Sequence, residues 1–251
     1  VQGVRLAQEL YDDPADAFRW LKAIEDSRSE AEDDMREALE ALFAKWRSRF
    51  ARAIAAGEPP PFDEFSEELA RIMGLRVSQV MTDEVLRHGM SVGVEFDPAL
   101  INEAALNWAR TYTYDLMRGR EKPDGTREPG LDATTRKQVQ QIMATWQERP
   151  GMTRGELEAM LEPAFGPNRA SMIAVTEVTR ASSAATRHYQ QQVAEAGITM
   201  QRYWYTLRDE RVCPICGPLH GKPETEWADK FPEGPPAHVN CRCSTTLRLV
   251  Q

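Results

Sequence analysis

All four cysteines of the chain, Cys213, Cys216, Cys241 and Cys243, lie beyond residue 212. Clustering of this kind points to one local site rather than a distributed disulfide framework. Cys213-Pro-Ile-Cys216-Gly217 has the form of a metal knuckle, in which two thiolates two residues apart grip one ion from a tight turn. Gly217 permits a positive φ there and leaves backbone N–H groups free to face the sulfurs. His238-Val-Asn-Cys241-Arg-Cys243 is the second half-site: His238 and Cys241 repeat the spacing, and Cys243 can substitute for either. Zinc takes four N or S ligands in a tetrahedron and these stretches offer five, which predicts one structural zinc ion. Four protein ligands would close the site, stabilising the fold and leaving no position for a substrate. The same residues also fit four reduced, half-buried thiols, or a disulfide joining Cys213 or Cys216 to Cys241 or Cys243.

Catalysis needs different company. The four histidines are followed by Gly89-Met90, Tyr189-Gln190, Gly221-Lys222 and Val239-Asn240, so the His-x-Glu of a zinc deaminase is missing. No His-Glu-x-x-His, Gly-x-Ser-x-Gly or Gly-x-x-x-x-Gly-Lys occurs. A cysteine nucleophile served by His220 or His238, with Asp209 as orienter, is the minor alternative. The expectation is a non-enzyme with no catalytic residues. His88 and His188 read as surface or capping groups, and Glu177 with Arg180 as an exposed i,i+3 pair. Trp20, Trp46, Trp108 and Trp146 read as core or helix-contact anchors.

The knuckles must be held by what flanks them. Ile198–Leu207 is rich in Tyr, Trp, Thr and Ile, and Ser244–Leu249 alternates weakly; both predict strands. Upstream, residues 168–196 predict a helix rich in Ala, Ser and Thr, which other backbone approaches closely, ended by Gly197. Its arithmetic puts Val178, Thr179, Ser182, Thr186 and Tyr189 on one face, opposite Glu177, Arg180 and Arg187.

Before that the chain reads as helix after helix. Asp13-Pro14 opens a long segment with Phe18, Leu21 and Ile24, then Leu39, Phe43, Trp46 and Phe50, at helical spacing. Glu25–Asp34 between them is acidic and reads as a solvated bridge or a break. Gly57 and Pro59-Pro60-Pro61 stop the run. Helices are expected at about 63–73, ending at Gly74, then 76–89, 98–117, 132–148 and 153–162. Gly119–Gly130 reads as a polar linker. Thr153 with Glu156 forms a capping box.

A chain of 251 residues holds one large domain or two modest ones. No apolar run approaches the roughly 18 residues of a membrane helix. It begins at Val1, not Met, which leaves an upstream segment open. The net charge of −8 is carried by the front: residues 1–150 have 20 Lys+Arg against 28 Asp+Glu, and residues 151–251 have 11 of each. The front is therefore repelled by nucleic acid, and only a local basic patch at the back could contact it.

Three blocks together resemble a known family: Trp204-Tyr-Thr-Leu-Arg-Asp209-Glu-Arg-Val-Cys213-Pro-Ile-Cys216, Leu219-His-Gly221, and Pro235-Pro236-Ala237-His238-Val-Asn-Cys241-Arg-Cys243. With the upstream Ala174-Val-Thr176-Glu177 helix they resemble the Mu F-like phage minor head (head morphogenesis) proteins, over about residues 165–250. Where that family usually reads Arg-Thr-Glu, this chain reads Val175-Thr176-Glu177.

The resemblance implies a structural minor head protein of a tailed phage or prophage, made in the bacterial cytoplasm and incorporated into the virion. It implies head assembly at the portal or capsid interior, handling or ejection of packaged DNA, and no catalytic activity. The implied partners are the portal protein, the major capsid protein or both, with possible contact to packaged DNA. Neither a membrane nor a small-molecule substrate is expected. The expected fold is mainly α with a small C-terminal α+β module, as a region 1–130 that is acidic and helical and a Mu F-like domain 131–251. Two alternatives remain. One is a zinc-knuckle nucleic-acid-binding module using Arg202, Arg208, Arg211, Arg242 and Arg248. The other is a metal-dependent hydrolase or nuclease with an open metal position.

Overall fold

The computed structural model describes residues 14–92, 98–121 and 125–250; for 14–21, 23, 24, 90–92 and 98–102 it describes the backbone. In chain order the elements are α1 (Pro14–Ala56), α2 (Phe62–Val92), α3 (Pro98–Arg118), β1 (Gly119–Glu121), β2 (Arg127–Pro129), α4 (Leu131–Glu148), α5 (Arg154–Met160), α6 (Glu162–Phe165), α7 (Pro167–Glu195), β3 (Met200–Tyr205) and β4 (Ser244–Leu249). Two 3-10 turns, Gly217–Leu219 and Glu224–Glu226, lie between β3 and β4. The fold is mostly helical, with a small C-terminal two-stranded sheet beside the cysteines. Among the described residues no helix is long and apolar enough to cross a membrane.

Helix boundaries follow local chemistry, with two departures from expectation. Of the two readings of the acidic stretch Glu25–Asp34, the solvated bridge holds and the break does not: α1 runs through it, because no Gly or Pro interrupts the helical backbone there, and most of its residues are exposed. The helix closes on Gly57 at φ +71°, where Gly57 N–H donates to Ile54 O (3.1 Å) and Glu58 N–H to Ala53 O (2.9 Å), a Schellman stop. Gly74 does not end a helix; α2 passes straight through it. A Cβ at Gly74 would sit 3.6 Å from Thr113 Oγ1 of α3, so the glycine marks a close approach of two helices. The expected linker Gly119–Gly130 closes as a small antiparallel hairpin, Gly119 opposite Pro129, with Arg120 Nε 3.1 Å from Glu128 Oε2. The Thr153–Glu156 capping box is present in both directions, at 3.3 and 2.7 Å. Beyond it the chain breaks at Leu161 and restarts as α6 with Pro163 in its first turn. The expectations for Asp13, Phe18, Trp20, Leu21 and Ile24 fall on residues or side chains outside those described.

The chain forms two compact units, each discontinuous in sequence: Val1–Asp33, Val77–Leu106 and Val175–Gln251 in one, Asp34–Arg76 and Asn107–Ala174 in the other. The second unit is centred on rings. Phe165 of α6 lies 4.9 Å from Phe50, 5.3 Å from Phe65 and 6.1 Å from Phe43 between ring centroids. Trp46 packs on Phe65 and donates its indole N–H to Glu68 at 2.7 Å.

The first unit is built around α7, which is more enclosed than an amphipathic helix. Ala181–Thr186 are all buried, and Glu177, expected on an exposed face, is only 5% exposed. The small side chains let other chain close in around Ala181–Thr186 on more than one side, which is why a 100° projection misplaces Glu177. Glu177 sits 3.8 Å from Arg180, whose Nη1 is 3.8 Å from Glu233. His88 of α2 is likewise buried, with Nε2 3.1 Å from Thr186 Oγ1 and 3.7 Å from Glu84, and is not a surface group. Helix α7 also meets the two-stranded sheet, Gln190 Nε2 donating to Met200 O at 2.9 Å; β3 is antiparallel to β4 from Met200 opposite Leu249 to Tyr205 opposite Ser244.

Candidate metal centre

The long connection between β3 and β4 carries every cysteine. Its first turn is wound tightly: Cys216 N–H and Gly217 N–H both donate to Cys213 O, at 3.2 and 3.0 Å. Cys216 N–H also faces Cys213 Sγ at 3.4 Å, the N–H-to-sulfur arrangement of a knuckle. The second turn is pinned to α7. Asn240 adopts a left-handed φ of +63°, which Asn tolerates better than most residues, and donates its N–H to Thr176 Oγ1 at 2.8 Å. Thr179 Oγ1 donates to Cys241 O at 2.7 Å. Trp204 of β3, Trp227, Cys216, Cys241 and Cys243 form one buried cluster, so the sulfurs sit against a rigid aromatic floor.

These turns bring the five expected residues together. Cys213 Sγ is 3.0 Å from His238 Nε2, Cys216 Sγ is 3.4 Å from the same nitrogen, and Cys216 Sγ is 3.8 Å from Cys241 Sγ. The donors form two groups with ligand atoms within 4.8 Å of one another: Cys213, Cys216 and His238, then Cys216, Cys241 and Cys243. Cys216 belongs to both. With Zn–S near 2.3 Å and Zn–N near 2.0 Å, a tetrahedral site has edges of about 3.8 Å between sulfurs and about 3.5 Å from sulfur to nitrogen. Two of the three contacts match those edges, and Cys213–His238 is tighter. The cluster of Cys213, Cys216, Cys241, Cys243 and His238 could hold a metal ion.

The electrostatics point the same way. Cys216 is pushed up by sharing hydrogen bonds with Cys241 and Cys243, and by burial. Cys241 is pushed down because it accepts from those same thiols. Crowded in this way, one thiol keeps its charge only while its neighbours stay protonated. At Cys213 burial is outweighed by N–H groups of Cys216 and Ile215 and by the His238 ring, so that thiol sits below its usual range. At His238 burial opposes, but the Val239 carbonyl and the Cys241 and Cys213 sulfurs raise it. A divalent cation would relieve the repulsion among the sulfurs.

Basic residues expected around the knuckle divide into two sets. Arg202 is buried against Glu224 and the Trp227 ring, 5.1 Å from its centroid. Arg242 grips Asp209 with both carboxylate oxygens, at 2.7 and 2.8 Å. Only Arg208, Arg211 and Arg248 of the five are exposed. Asp209 therefore orients an arginine and not a histidine. His220 stands apart from the sulfurs, with Nδ1 3.1 Å from Thr206 N and Nε2 2.9 Å from Arg208 Nε.

Three residues hold this centre from outside the cysteine motifs: Thr176, Thr179 and Arg28. The two threonines were legible as part of a small-residue helix that backbone approaches. Arg28 had one signal, as the single Lys or Arg among residues 25–34, a stretch otherwise acidic, Ser or Ala.

Residues 132–246 match the family described as Phage Mu protein F like protein, a span that includes all four cysteines and His238. No curated protein and no solved structure matches the chain.

Proposed function

From the premise that residues 132–246 are a Phage Mu protein F-like domain, we propose that the protein is a structural minor component of a tailed-phage or prophage head. It acts in head assembly at the portal or capsid interior, and in handling or ejecting packaged DNA. Its partners are the portal protein, the major capsid protein or both, and its place is the virion. Residues 131–251 form the family's domain, and the acidic, helical region 1–130 precedes it. The carrying observation is the family match itself, with the sulfur cluster inside its bounds.

Within that role the cluster holds one structural zinc ion. Cys213, Cys216 and His238 supply three ligands, and Cys241 the fourth, because its sulfur already stands one tetrahedral edge from Cys216. Cys243 is then the spare thiol packed beside the site. Zinc bound by four protein groups supplies cross-linking between the two turns and no reaction chemistry. What the protein's own residues do is hold the turns: Thr176 and Thr179 fix the second, and the Cys213 carbonyl winds the first.

Expression with the portal and major capsid proteins of its own phage tests the assignment. Low-copy retention on sedimenting heads is the expected result. Absence from heads and portals alike, with the chain soluble and folded, would contradict it.

A further inference from the structure

The second cysteine turn is held from far outside the family's span. Arg28 lies on α1, well before residue 132, yet its Nη1 donates to Cys243 O at 3.0 Å and reaches Arg242 O at 3.5 Å. Its Nη2 donates to Thr179 Oγ1 at 2.6 Å, and that hydroxyl in turn donates to Cys241 O at 2.7 Å. One buried guanidinium thus fixes, directly or through Thr179, the carbonyls of three successive residues.

We propose that Arg28 is a positioning residue of the metal centre, so that the affinity of the C-terminal cysteine cluster for its ion depends on helix α1. The ladder of β3 and β4 ends at the pair Tyr205 and Ser244, so Cys241-Arg242-Cys243 lies beyond the ladder. A cysteine sulfur stands where its backbone puts it, and groups that orient ligating residues govern metal affinity. The Arg28 side chain is 8% exposed and its acidic neighbour Glu32, at 3.6 Å, is 21% exposed. Burial pushes the Glu32 carboxyl up, against the pull of Arg28 and Arg242. The guanidinium also sets a buried positive charge beside the backbone of Cys243. This inference rests on the metal reading above and adds to it a dependence on a residue outside the Mu F-like span.

The test uses the full chain, with zinc affinity read by competition with a chromophoric chelator and site geometry read from the absorption spectrum of the cobalt(II)-loaded protein. Arg28→Ala is expected to weaken zinc about 10- to 100-fold and to shift the cobalt bands. Arg28→Lys keeps the charge but not the fork of donors, and should fall between the two. Thr179→Val removes the relay to Cys241 without a change of charge and should move affinity in the same direction, which keeps the test open if Arg28→Ala does not fold. A residue that merely clips the fold would lower the melting temperature of the metal-free and metal-loaded chains alike. If affinity and cobalt spectrum then stay as in the wild type, the role of Arg28 is overturned while the metal centre stands. A wild-type chain that binds neither ion overturns the metal centre, and this role with it.

Discussion

Cys216 Sγ stands 3.8 Å from Cys241 Sγ, and the same Cys216 sulfur is 3.4 Å from His238 Nε2. Cys216 is thus the hinge between two ligand groups, one half-buried at Cys213 and His238 and one buried at Cys241 and Cys243. A closed tetrahedron draws on both, which makes the cysteines unequal. Cys216→Ser and Cys241→Ser should each abolish stoichiometric zinc in the presence of a competing chelator. Cys243→Ser should retain it, with at most a modest loss of affinity. Elemental analysis of the three variants after dialysis checks this, and equal losses at Cys241 and Cys243 would contradict it.

Acid should weaken the first unit through His88. Burial lowers its pKa from the ordinary 6.5, with Glu84 opposing and Arg87 assisting. The folded chain then keeps His88 neutral while the unfolded chain takes up a proton below about 6.5, so the unfolded state binds more protons there. The stability that depends on a neutral His88 is complete above that pH and is lost as pH falls through it. Glu84, Thr186 and Tyr189 lie against the ring, which is 2% exposed. Denaturant melts at pH 7.5 and pH 5.5 should show a drop for the wild type that is smaller in His88→Gln. An equal drop in both would remove His88 as its source.

How much of this was legible in the sequence depends on range. Both knuckles, the flanking strands, α7 and the capping box follow from spacing and composition, because each is settled within a few residues. Gly74 was misread because a glycine that ends a helix and one that admits a neighbouring helix look alike in one dimension; Thr113 distinguishes them, and it lies on another element. Glu177 was put on an exposed face because a helical projection knows one partner surface, and α7 has several. Arg28 stood out only by its charge, and its role was not legible: its partners are residues 179, 242 and 243, and no periodicity links them to position 28.

The second unit should depend on Phe165. The ring is 2% exposed and meets Phe50, Phe65 and Phe43, yet it sits on a helix of four residues that has little stability of its own. Phe165→Ala should cost about 3–5 kcal/mol in urea or guanidinium unfolding of the full chain. Leu106→Ala, at a site 45% exposed, should change stability by about 0.5 kcal/mol or less. Comparable values for the two would show that the ring cluster does not hold this unit together.

At the α5 N-terminus, Thr153 and Glu156 exchange hydrogen bonds in both directions. Thr153→Ala should cost about 1 kcal/mol, and Thr153→Ser much less, since serine keeps the accepting oxygen. A loss of equal size in both variants, measured in the same denaturant series, would assign the effect to packing of the methyl group.

Zinc content of the purified full chain, with a thermal melt before and after chelation, bears most directly on the centre. One zinc per chain, with a large fall in melting temperature on its removal, is the predicted result. A chain free of metal whose melt a chelator leaves unchanged would contradict it, and would leave the four sulfurs as packed thiols beneath Trp204 and Trp227.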